Sequence, residues 1–235
     1  MIRIVLVAAC FVPGIAFAQA IDTNRPGFSY SPNVIELGTW QLETGLAYEY
    51  IDSNNDSTSF PQAELRLGLR DEVEMFVSSL GWIDTDFGSG FVDPVIGAKV
   101  GMSDASASVI TALLFQVSVP VGDNDVSSDS WDPSLAFIWA MRGGIGLAGT
   151  VKVSEFDGDY QFDNGLKLPF AINDTQSAFV EWEANLPERG GDSHWLNAGF
   201  QWLLSDSMQV DFNAGVGFDE RGGDNRLGVG FSINP

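Results

Sequence analysis

The chain has 235 residues, of which only 18% are charged. Asp and Glu outnumber Lys and Arg by 32 to 11, a formal net charge of −21, and such a surface repels phosphate, which sets nucleic acid aside as a partner. The 26 glycines and 17 phenylalanines, with few lysines, are an unusual mixture for a soluble globular domain.

The first element is MIRIVLVAACFVPGIAFA. It has a basic start at Arg3, an apolar run from Ile4 to Val12, a Pro13-Gly14 break, and then Ala16-Phe17-Ala18. That order describes a secretory signal peptide over residues 1–18, cut after Ala18. The apolar run is too short for a membrane-anchoring helix. Val7-Ala8-Ala9-Cys10 resembles a lipoprotein cleavage box, but the run before it is too short to act as a signal by itself. Cys10 is the single cysteine, so the exported chain has no thiol or disulfide chemistry. No later window holds about 18 consecutive apolar residues, which excludes helical membrane spans.

Residues 19–38, rich in Pro, Asn and Ser, lead to the first strand. From Trp40 to Tyr50 the sequence alternates: Trp40, Leu42, Leu46 and Tyr48 on one face, Gln41, Glu43 and Glu49 on the other. The pattern recurs in Ala63–Leu69 against Glu64 and Arg66, and in Pro94–Val100 against Asp93 and Lys99. Trp131–Met141 alternates with Asp132, Ser134, Ala136 and Ile138. Lys152 and Lys167 are each flanked by apolar neighbours, and Ala178–Ala184 alternates with Glu181 and Glu183. Leu196–Leu204, Met208–Phe218 and Leu227–Ile233 follow the same rule, with Asp211 and Arg226 on the polar side. Two segments are less clean. Val109 to Val119 is nearly all apolar, so its faces stay open, and the phase of Val73–Val77 fails near Ser79-Leu80, which suggests a bulge. The pattern predicts about twelve strands.

The connections fall into two alternating classes. Tight ones lie at Arg70-Asp71, Ser103-Asp104, Arg142-Gly143-Gly144, Asn173-Asp174 and Ser205-Asp206-Ser207. Longer acidic ones lie at Asp52–Thr58, Asp84–Gly90, Gly122–Ser130, Glu155–Asp159, Pro187–Ser193 and Asp219–Asn225. Short turns on one rim and long loops on the other describe an all-β, up-and-down antiparallel transmembrane barrel over residues 39–235, with periplasmic turns and extracellular loops. Eleven residues at about 3.4 Å each, tilted by about 45°, rise about 26 Å, the height of an outer-membrane apolar band. Trp40, Trp131, Trp139, Trp182 and Trp202 sit on the apolar face, where an aromatic girdle belongs. In a soluble barrel the oily faces would point inward, but about twelve long strands enclose more space than these side chains could fill. The oily face is therefore assigned to lipid and the ionised face to a polar lumen.

The segment TNRPGFSYSPNV followed by GTWQLETG carries a specific likeness. Arg25-Pro26, Phe28, Ser31-Pro32, Val34, Gln41, Glu43 and Gly45 resemble the opening of the outer-membrane "transporter" barrels filed as "putative MetA-pathway of phenol degradation". Asn24 replaces the usual acid, and Tyr30 stands where an acid is common. Asp93-Pro94, Pro120-Val121-Gly122-Asp123 and the closing hairpin from Trp195 to Phe231 extend the likeness over nearly the whole exported chain. The resemblance implies a Gram-negative outer-membrane barrel that passes small compounds, hydrophobic or aromatic ones among them.

Arg226-x-Gly228-x-x-Phe231-x-Ile233 resembles the strand that outer-membrane barrels present to their insertion machinery, although a terminal Phe is missing. His194, the single histidine, stands with Asp192 and Ser193 at the outer end of a strand. A lipid-modifying enzyme could use such residues, but neighbours on a strand point to opposite sides, and His194 shares phase with Leu196. Asp123, Asp125, Asp129 and Asp132 lack the spacing of a calcium loop and read as a solvated turn, in reach of lipopolysaccharide through divalent ions. The lumen is the better site. By phase its acids are Glu43, Glu49, Glu64, Glu74, Asp93, Asp132, Asp163, Glu181, Glu183 and Asp211, and its bases are Arg66, Lys99, Lys152, Lys167 and Arg226. They predict either a closed lumen cross-linked by ion pairs or a narrow path whose excess acid favours cations and neutral solutes. Residues 19–38 are expected to enter the periplasmic mouth as a plug, with Arg25 meeting a lumen acid, or to stay a disordered tail. No metal, cofactor, nucleotide or energy-coupling motif is visible. A passive channel for a small-molecule solute is expected, with an enzyme or a non-conducting structural barrel as alternatives.

Overall fold

A computed structural model describes residues 21–52, 55–104, 106–128, 130–156, 158–219 and 225–235. The expected signal segment and Asp129 lie outside the described residues. No helix among the described residues is long and apolar enough to cross a membrane.

The strands are β1 (Trp40–Asp52), β2 (Asn55–Arg70), β3 (Val73–Ser79), β4 (Trp82–Thr85), β5 (Gly88–Phe91), β6 (Val95–Gly101) and β7 (Val109–Ser118). They continue with β8 (Pro133–Met141), β9 (Ala148–Phe156), β10 (Asp159–Asn173), β11 (Gln176–Pro187), β12 (Ser193–Ser205), β13 (Met208–Gly217) and β14 (Asn225–Ile233). Neighbours in sequence pair antiparallel except β3 with β4 and β5 with β6, and β1 pairs with both β2 and β14, which closes the barrel. The ring has twelve positions, because β3 and β4 follow one another along β2, and β4–β5 continues the β3–β6 hairpin beyond the wall. Closure leaves no unpaired sheet edge in the ring.

The phase failure near Ser79-Leu80 has a local cause. Pro61 of β2 has no N–H to give the ladder, and across from it Gly81 turns with φ 74°. β3 therefore stops at Ser79, and the chain rejoins β2 only at the Phe60↔Trp82 pair. The Val109–Ser118 strand is settled too: Ala112 and Leu114 are buried inside, while Val109 and Phe115 are exposed outside. The expectation of long acidic loops needs correction at two places. Only residues 53–54 separate β1 from β2, and only 157–158 separate β9 from β10. Tyr50↔Asp56 and Tyr160↔Glu155 pair in the ladder there. Their polarity reports solvent around a projecting hairpin, since backbone pairing continues whatever the side chains face.

The two faces are inverted relative to a water-soluble protein. Met75, Phe115, Leu135, Val180, Leu196 and Phe212 are exposed on the outer wall, while Glu43, Arg66, Glu74, Lys99, Glu181 and Asp211 are buried within. The apolar core is small and lies inside, where Phe76, Ala112, Leu114, Ala136 and Ile138 pack with Tyr30 and Val95.

Candidate functional site in the barrel lumen

The segment from Ile21 to Gly38 lies within the barrel and is bonded to the inner wall. Ile21, Ser29 and Ile35 are buried. Its main chain supplies most of the contacts. The Glu43 carboxylate accepts the N–H groups of Asn24 (3.1 Å) and Arg25 (2.9 Å). Glu181 accepts those of Phe28 and Ser29, both at 2.8 Å, and Glu74 accepts that of Ile35 at 2.8 Å. In the other direction Lys167 donates to the carbonyls of Pro26 (3.3 Å) and Ser29 (2.9 Å), and Lys99 to that of Ser31 (3.0 Å). Arg66 reaches the carbonyls of Asp22 (2.9 Å) and Asn33 (3.3 Å). A segment without secondary structure is thus satisfied by side chains of the wall.

Arg25 is the segment's cationic side chain. It lies 3.5 Å from the Asp211 carboxylate, donates to Gln62, and reaches the Val229 carbonyl at 3.3 Å. Glycines make its seat. A Cβ on Gly45 would meet the Arg25 guanidinium at 2.5 Å, and one on Gly230 would meet its Nε at 2.6 Å. Gly68 and Gly165 make the same room for the Ile35 carbonyl and the Phe28 ring, at 2.7 and 2.6 Å.

The wall charges form linked pairs. Arg66 grips Glu74 through two bonds of 2.9 Å and lies 3.2 Å from Glu43. Lys99 sits 3.1 Å from Glu74. Lys152 pairs with Asp163 at 3.0 Å, Lys167 with Glu181 at 3.8 Å, and Arg226 with Glu183. Glu64 accepts the Asn24 side-chain amide at 2.5 Å, and half-buried Glu49 lines a cavity described below. Asp93 and Asp132 form hydrogen bonds at the rim. Asp93 accepts the N–H groups of Val121 (2.9 Å) and Gly122 (2.6 Å), and Asp132 accepts the Ser128 hydroxyl. Both fasten the connection between β7 and β8 at the long-loop rim. Asp123 there accepts the Phe91 N–H at 2.7 Å, and no metal-holding group of acids exists among the described residues. Sequence reasoning passed over the neutral partners: Gln41, which donates to the Asp22 carbonyl (3.1 Å), Gln201, which donates to the Arg25 carbonyl (3.3 Å), and Thr150, whose hydroxyl accepts the Tyr30 N–H (3.0 Å). It also passed over Trp195, which is buried inside with Arg226 stacked 4.5 Å above its ring. All four stand in the polar phase of their strands, which was the available signal.

The segment separates two cavities. One, of about 570 Å³, opens toward the long-loop rim and is lined by Glu49, Ser57, Gln62, Ile83, Glu183 and Arg226. Its floor is Arg25 to Phe28. The other, of about 280 Å³, lies at the short-turn rim between Asp22, Ile35, Gln41 and Asn234. His194 belongs to neither. Its ring stacks between Trp182 (5.9 Å) and Phe218 (6.2 Å) on the outer wall, whereas the Ser193 hydroxyl bonds Asn185 at 3.0 Å, so the two do not converge.

A closed antiparallel barrel of twelve positions, apolar outside and charged within, defines a barrel of the outer-membrane type. The chain belongs to the family described as "Putative MetA-pathway of phenol degradation", whose model matches residues 23–234. Its fold is similar to that of an outer membrane channel from Pseudomonas putida F1, with TM-score 0.69 and 13% identity over 90% of this chain and 99% of that one. The NanC porin gives TM-score 0.58 at 7% identity over 83% and 98%, and the KdgM porin 0.57 at 8% over 82% and 98%. No curated protein matches the sequence.

Proposed function

We propose that the chain is an outer-membrane channel that passes small neutral or cationic solutes by passive diffusion, with its short-turn rim in the periplasm. The supporting observation is the lumen itself, where cavities of about 570 and 280 Å³ lie on either side of a hydrogen-bonded segment of the chain. The buried charged side chains of the strands face this interior, as an aqueous path requires, and the outer wall suits acyl chains. Glu49 and Glu64 add acidity beyond the paired groups, which favours cations. The cavity above Arg25 bounds the solute to small molecules, and Phe28, Leu80 and Ile83 give it an apolar side for hydrophobic or aromatic ones. Export by the N-terminal signal, delivery of β14 to the insertion machinery, and contact of the outer acidic connections with lipopolysaccharide complete the reading. It assigns no catalysis to the chain, in keeping with the outward stacking of His194.

Purified protein in planar bilayers tests it. Stepwise conductance with cation preference in a KCl gradient is expected, and Glu49→Gln should reduce that preference. Silence from folded protein would favour the closed structural barrel, and anion preference would refute the acidic path.

A further inference from the structure

The inner wall addresses the main chain of residues 22–35 more than their side chains. Glu43 and Glu181 each take two successive N–H groups, one per carboxylate oxygen. Lys167 takes two carbonyls, and Arg66 takes two more while held by Glu74. At Ser29 both the N–H and the carbonyl go to wall charges, 2.8 Å from Glu181 and 2.9 Å from Lys167. Side chains are read at fewer places: Asn24 gives its amide to Glu64, the Phe28 ring uses the room over Gly165, and two positions are the most restrictive. Arg25 fills the seat over Gly45 and Gly230, and at Gly27 (φ 101°) a Cβ would meet Glu181 at 2.5 Å. Peptide N–H and carbonyl groups are common to every sequence, so carboxylate pairs and cations spaced this way recognise a backbone path.

We infer that the lumen is a receptor for the main chain of an extended peptide and accepts one supplied in trans, given a cationic residue two places before a glycine. The partner class is a short peptide or an exposed polypeptide end reaching the barrel from its short-turn side. This inference does not use the channel reading, since binding is measured without conductance.

A protease site inserted between Leu37 and Gly38 tests it, at a turn where nothing lies within 4 Å of the Gly38 Cβ position. The full chain is folded first, then cut in detergent, and fluorescein-labelled peptide of residues 21–36 is added and followed by anisotropy. Labelled peptide should bind and be displaced by the unlabelled one. A competitor whose amides at Phe28 and Ser29 are replaced by esters loses both N–H groups and should displace about tenfold less well or worse. A competitor with Ser29→Ala and Ser31→Ala should stay within about threefold. Equal competition by the ester, a tenfold loss from the alanines, or no bound label would each overturn the inference.

Discussion

Arg66→Met is the sharpest test of what the lumen charges contribute. The Arg66 side chain is 1% exposed, bonded twice to Glu74 at 2.9 Å, and 3.2 Å from Glu43. Methionine replaces the aliphatic stem but leaves Glu43 without its cation and frees the carbonyls of Asp22 and Asn33. Removing one partner of a buried pair costs about 3–5 kcal/mol, because the other charge stays buried. Lys99, 3.1 Å from Glu74, still covers one of the two acids, which places the cost near the lower end, at about 3 kcal/mol. With a urea slope of about 2 kcal/mol/M, the unfolding midpoint should fall by about 1.5 M. Tryptophan fluorescence of protein in lipid vesicles reads this directly. Adding Glu43→Gln should recover part of the loss, since it removes the stranded charge. A change below about 0.5 kcal/mol in the single variant would mean that water already screens these groups, and the ion-pair account of the lumen would fail.

Arg25→Ala should empty the seat over Gly45 and Gly230 and raise conductance without unfolding the barrel; unchanged conductance speaks against Arg25 as part of the barrier. Glu181→Gln turns one acceptor toward Phe28 or Ser29 into a donor, a loss of about 1.5–3 kcal/mol, and amide hydrogen exchange at those residues should quicken about tenfold or more. Phe115→Arg, at an outer-wall position 50% exposed, should cost about 2–4 kcal/mol in a bilayer near the midplane; refolding yield in vesicles checks it, and an unaffected yield would contradict the lipid-facing assignment.

Much of the barrel was legible because a period of two needs no partner to be seen. Glu43, Glu181 and Asp211 fall inside by phase alone, and so do the glycines that alternate with them. What resisted reading depended on chain crossings. The break at Leu80-Gly81 is imposed by Pro61, twenty residues earlier, and no local window contains both. Asp93 and Asp132 obey the phase but are claimed by a connection that folds back over the rim. Val109–Ser118 lacked polar contrast, and only its pairing with β6 and β8 assigns its faces. The neutral partners Gln41, Gln201 and Thr150 were invisible as a site, since their role exists only once residues 22–30 lie against them.

Part of the acid excess and four of the inner glycines have a common explanation in that segment. Gly45, Gly68, Gly165 and Gly230 occur where its atoms press closest to the wall, so their spacing records its path. Glu43, Glu74 and Glu181 each accept from its N–H groups as well as pairing with Arg66, Lys99 or Lys167, so the segment neutralises a further part of their field. The acids that remain free to act on a passing ion are then fewer than the residue list suggests. Cation preference should accordingly be modest while the segment is seated, and should increase once it is cut at Leu37–Gly38 and washed out. Reversal potentials measured before and after the cut decide this, and a preference unchanged by removal would refute it.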